Sequence, residues 1–186
     1  MKDVGLLTLR LTAGGLLMGH GMQKLAGKFG GHGLAGTGQW MESIGLKPGQ
    51  AWATVAGLSE ASGALMALGF LEPLGEIGVL SAMAMATGKV HWGKPIWGTA
   101  GGAEQPVTYS AIALMLVLAG PGKLSLDALL GTRLPNALTL LAVAGAAGGV
   151  AYGLMQQPPA QPESAEASPP AEQEQEPQTE TGSGVL

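Results

Sequence analysis

The sequence predicts an all-α integral membrane protein, a helix bundle followed by a polar tail. Three observations carry that prediction. Five apolar segments recur along the chain, and most approach the ~20 residues that span a hydrocarbon core. Charged residues make up only 12% of the 186, about half the share of a soluble domain. Trp40, Trp52, Trp92 and Trp97 fall at or near segment ends, where an interfacial aromatic belt would lie.

The segments run over about 4–22, 51–71, 74–92, 107–120 and 138–155. Only helices satisfy their own backbone in lipid without closing a barrel, so each is expected to be a helix. The first is no signal peptide on this reading: Arg10 interrupts it and no clear cleavage pattern follows. The Gly-rich stretch 27–38 lacks the ending of a phosphate loop and follows no strand. It is expected to form a tightly turned or re-entrant loop. Pro121 and Gly122 end the fourth segment, and Ser125 is placed to cap a short helix carrying Asp127 in its first turn.

Composition narrows the chemistry. The chain has no Cys, which removes thiol catalysis, disulfides and Cys-ligated metals from its own repertoire. Residues 1–155 carry nine bases against seven acids, a net +2, whereas 156–186 carry six Glu and no base. That last stretch is rich in Pro, Glu, Gln and Ser and is expected to be disordered. Nothing suggests nucleic-acid binding, because no basic patch with interleaved aromatics stands outside the membrane ends. No metal site is expected. Lysines and arginines flank the segments five to three between the two sides, a margin too narrow to set orientation.

Charges at membrane depth are the strongest functional signal, since each costs about 2.5–3.5 kcal/mol on insertion scales. Arg10 shares a helix face with Gly14, Leu17, Gly21 and Lys24. Glu60 sits in a stripe of Ala53, Ala56, Gly57, Gly63, Ala64 and Ala67, small residues that let helices approach closely. Gly78, Ala82, Met85 and Lys89 share a face of the third segment. If the 23–50 loop returns the chain, Arg10 comes within a turn or two of Glu60, and the two are expected to pair. His20 and His91 end their helices on one side, beside both long loops. His20, Lys24, Lys89, His91 and Glu104 are therefore expected to cluster at one mouth of the bundle, where such groups can bind a quinone head group, relay protons or hold a small anion. The plainer alternatives are a pair that only fixes helix register and histidines that are merely interfacial.

The motif order is also recognisable. GHGMQKLAGKFGGHGLAGTGQWMESIGLKPG, AGLSEASGALMALGFLEPLG, AMATGKVHW and GGAEQPVTYSAIALMLVLAGPGKLSLDALL together resemble the DoxX family of small bacterial membrane proteins. The resemblance covers about residues 1–131. It matches at His20, Gly21 and Lys24, at Glu60 and Gly63, at His91, at Gly102 and Glu104, and at Gly120, Pro121, Gly122, Ser125 and Asp127. It implies a four-helix bundle over 1–131, to which this chain adds a further transmembrane helix at 132–155 and the tail at 156–186. It also implies a multi-pass place in the bacterial inner (plasma) membrane, in contact with lipid. As a function it implies a membrane subunit or partner of an oxidoreductase. Quinone is the one cofactor that this reading admits, and any enzyme role is that of a non-catalytic or quinone-contacting subunit. A structural anchor that recruits partners, and a small-solute or proton transporter, are the competing readings.

Overall fold

A computed structural model describes residues 1–158, all of them helix, turn or coil. Most of the stretch expected to be disordered therefore lies outside the described residues. Helix α1 spans Lys2–Ala26 and stops at Gly27, whose φ of 64° is left-handed; glycine enters that region without the steric cost a side chain would bring. Helix α2 is Gly33–Ser43, α3 is Gly49–Ala61 and α4 is Gly63–Leu68. Helix α5 is Leu74–Ala86 and runs on through a π-helical turn at Thr87–His91. Helix α6 is Glu104–Ala119, α7 is Leu126–Leu130 and α8 is Asn136–Met155.

The five expected segments are present as α1, α3 with α4, α5 with its π turn, α6 and α8. Two features were not expected. The 23–50 stretch is not all loop, because α2 packs along α3. The second segment is broken at Ser62. There the Ser62 hydroxyl donates to Ser59 O at 2.6 Å and lies 2.9 Å from Gly75 O. A hydroxyl inserted beside the helical ladder bends a helix, and here it also fastens the bend to α5.

Glycines set the register. A Cβ on Gly21 would meet Ala61 N at 2.5 Å and Gly57 O at 2.7 Å, and one on Gly14 would collide with Gly63 O. Helix α1 therefore lies backbone to backbone against α3 and α4, antiparallel. Gly75 touches Met66 and Ser62 in the same way, which turns α5 antiparallel to α4. Gly153 lies against Met85 and Trp52, so α8 rises alongside α5. The end that carries the start of α1 is called lower below, and the opposite end upper.

The main core joins α1, α4, α5 and α6 through Leu6, Leu17, Met66, Val79 and Leu116, and Met41, Leu46 and Ala53 tie α2 to α3. Outside, large apolar side chains are bare: Leu11 and Leu16 on α1, Leu58 on α3, Leu118 on α6, Leu140 and Leu141 on α8. So much exposed apolar surface is wrong for water and right for lipid. By length and apolarity α8 alone among the described helices is enough to cross a membrane, and only 6% of its most apolar window is buried. The others fall short for local reasons: charges in α1, the break at Ser62, and the shorter α6.

Candidate functional site

The structure sorts the buried charges into two centres, one near each end of α1. The upper centre is a cavity of about 500 Å³ walled by α1, α2, α3, α5, α6 and α8. That volume falls within the ~300–1,000 Å³ of ordinary small-molecule pockets. Its lining is mostly apolar, with Leu17, Met41, Trp52, Ile77 and Met85 prominent. Helix α8 closes one side with small residues, among them Gly145, Ala146 and Gly149. On α5, the expected face of Gly78, Ala82, Met85 and Lys89 borders the cavity.

Polar groups gather toward the upper part of this wall. Lys24 Nζ donates to Glu60 Oε2 at 2.6 Å, with the two side chains 24% and 11% exposed. This is the ion pair found among the described residues. A lysine about three-quarters covered and a buried carboxylate make a pair partly shielded from water, where charge attraction is stronger than at a free surface. His20 lines the cavity one turn before Lys24. Its Nδ1 lies 3.0 Å from Gln23 Oε1, and its Nε2 lies 3.5 Å from Gln105 Nε2. The carboxamide oxygen can only accept, so Nδ1 carries the proton and Nε2 is left to accept. Lys89 donates to Gln156 O at the top of α8. His91 Nδ1 lies 2.7 Å from Gly101 O.

The expected cluster is thus brought together in part. His20, Lys24, Glu60, Lys89 and His91 all line the cavity. Glu104 does not. Its carboxylate accepts from Gly98 N at 2.8 Å and holds the loop above α6. The neighbouring Gln105 reaches the cavity instead. Gly102 has a structural place as well, since a side chain there would collide with Pro95 O.

The expected Arg10–Glu60 pair is not formed. Contacts of Gly14 with Gly63, and of Gly21 with Gly57 and Ala61, fix the slide of α1 along α3 and α4. In that register His20 comes level with Glu60, and Arg10 with Gly69. Backbone contact between small residues leaves no freedom to slide two turns for an ion pair, and a lysine one turn above Glu60 takes its place.

Arg10 belongs to the lower centre. It is 1% exposed and donates through Nη2 to Leu124 O. Around it stand Glu72 in the link before α5, Glu76 in α5 and Asp127 in α7. Asp127 is the best satisfied. It accepts from Leu71 N at 3.0 Å and Glu72 N at 2.9 Å, and Thr132 donates its hydroxyl at 2.5 Å. Burial alone would raise this carboxyl, but those bonds outweigh it and hold Asp127 below the usual carboxylate range. Ser125 caps α7, accepting from Ala128 N at 3.2 Å as the sequence predicts, and donates to Gly122 O at 2.7 Å. Gly120 and Gly122 take left-handed φ values of 74° and 76° around Pro121, which turns the chain from α6 into this motif.

Glu72 and Glu76 escaped the sequence reading. The signal was present: an arginine at depth demands a counter-charge, and two carboxylates four residues apart stand in and just after the short 69–73 link. Glu42, which accepts from Gly49 N at 3.0 Å, and Ser62 were missed as well.

Comparison with known proteins adds one finding. A family model for DoxX matches residues 5–92. Over those residues the chain belongs to the DoxX family. The family is one of helical membrane proteins, so this all-α chain is a membrane protein. The match holds His20, Lys24, Glu60 and His91 together with Arg10, Glu72 and Glu76, whereas α6, α7 and α8 lie beyond it. No curated protein and no solved structure matches the chain.

Proposed function

We propose that this DoxX-family protein is a multi-pass protein of the bacterial plasma membrane that takes a quinone-class lipid into the upper cavity, as the membrane partner of an oxidoreductase. The observation that supports it best is an ion pair, with His20, Lys89 and His91 near it, at one end of a mostly apolar cavity. A quinone has an apolar ring and tail with two carbonyl acceptors. Lys24 can offer a donor to one carbonyl. His20 Nε2, left as an acceptor, suits the hydroxyl of the reduced form. Glu60 holds Lys24 in place and screens its charge. The long exposed face of α8 beside the cavity gives a route by which a lipid tail reaches the bilayer. With no Cys in the chain, electrons would have to come from a partner's cofactor.

The test begins with the protein purified gently in its own lipid. Co-purified lipid is extracted and analysed for quinone, and the complex is weighed by native mass spectrometry for protein partners. Quinone at a fixed ratio to protein is the expected result. A sample that carries phospholipid alone, and that fails to take up added quinone, would overturn the reading.

A further inference from the structure

The lower centre holds more charge than it can balance, and its hydrogen bonds do not close. Arg10 is 1% exposed, yet its Nε and Nη1 have no acceptor in reach. Glu72 is in the complementary position, with both carboxylate oxygens buried and without a donor. Glu76 is also 1% exposed. Asp127 is already committed to three bonds and is ionised in place. One fixed cation is thus left to face two further carboxyls, and none of the three makes an ion-pair contact with another, since the ion pair of the described residues lies at the other end.

We propose that this lower cluster is a proton-binding site, in which Glu72 and Glu76 hold a single exchangeable proton beside the fixed charge of Arg10. On uptake an O–H bond forms at a glutamate oxygen, the proton comes from water at the lower surface, and nothing is oxidised or reduced. The site loses one negative charge.

The geometry favours a proton over other occupants. Arg10 repels a metal cation, and no group of three or more His, Asp or Glu is arranged to hold a metal among the described residues. The carboxylates repel an anion. A proton removes an uncompensated buried charge and gives the pair of glutamates a donor that neither carboxylate has alone. The groups facing Glu72 are Glu76 from α5, Asp127 from α7 and Arg10 from α1. Their balance points the same way: burial first, then Glu76 and Asp127, push Glu72 up to about 8 against the opposing pull of Arg10. Glu72 stands in the link between helices, so exchange with the lower surface does not require a path through the bundle. This site stands apart from the quinone reading and does not depend on it.

Infrared difference spectroscopy of the full chain in lipid nanodiscs tests the proposal. A carboxyl in free contact with water is ionised at neutral pH, so a protonated-carboxyl stretch there reports a shielded group. That stretch is expected at pH 7, to be lost on titration toward about pH 8 and above, and to vanish in Glu72→Gln. Glu76→Gln, which removes a neighbouring negative charge, should move the titration of the band to lower pH. Absence of the band at pH 7, or its survival in Glu72→Gln, would overturn the proposal. If Glu72→Gln loses its helical circular dichroism, the Glu76→Gln titration decides: a downward shift supports the proton site, and an unmoved midpoint refutes it.

Discussion

The two centres of this bundle are built from similar residues and solve different problems. At the upper end a lysine meets a glutamate directly, at 2.6 Å, on the wall of a cavity. At the lower end an arginine sits in closer confinement, 1% exposed, among three acids and without an ion-pair contact. The upper pair is balanced in charge and faces space. The lower cluster is unbalanced and faces packed chain. A balanced pair beside a cavity leaves spare valences for a ligand. An unbalanced one must settle its charge internally, and the proton is the smallest means of doing so.

Removing Arg10 should break this comparison most severely. Arg10→Met leaves Glu72 and Glu76 without their counter-charge, and breaking a buried charge arrangement costs about 3–5 kcal/mol. Loss of most of the folded protein is expected in a detergent thermal melt, and added quinone should not rescue it. Lys24→Met strips one partner from a pair on the wall of a cavity, so the fold should survive that change.

A pH series sharpens the contrast without mutation. Glu72 has its folded value raised from an ordinary 4.5 to about 8. The folded state therefore binds more protons than the unfolded state between those values, and stability contributed by Glu72 is present at low pH and lost as pH rises through about 8. Asp127 is shifted the other way. Its contribution is present above the ordinary aspartate value of 3.8 and is lost as pH falls through its lowered folded value. Melting temperature should fall across the range between those two glutamate values, and Glu72→Gln should flatten that slope.

The smallest expected effect is at the cap. Ser125→Ala removes the hydroxyl that accepts from Ala128 N, and cap losses of this kind cost about 1 kcal/mol. The melt should shift by a few degrees, with the upper cavity untouched.

The sequence carried the helices well and their register poorly. Apolar length located α1, α5, α6 and α8, and the small-residue stripe correctly put Glu60 and Arg10 on inward faces. Helix α2 was hidden because GLAGTGQWMES is glycine-rich and only partly apolar. The break at Ser62 was hidden because the hydroxyl acts through Gly75, a partner thirteen residues away. Charge complementarity alone would slide α1 until Arg10 met Glu60. Backbone contacts at Gly14 and Gly21 set the slide instead, and they leave nearly no tolerance. The lower acids were legible in principle, since Arg10 needed a counter-charge and the Glu72–Glu76 spacing lay beside a tight link.

The separation of the two centres is tested most directly by quinone titration of nanodisc-embedded protein, comparing Glu60→Gln with Glu72→Gln. Glu60→Gln should weaken binding by about tenfold or more, the worth of one charge-assisted hydrogen bond, while Glu72→Gln leaves it within error of the unmodified chain. Equal weakening in both variants, or none in Glu60→Gln, would contradict the division of this bundle into a ligand end and a proton end.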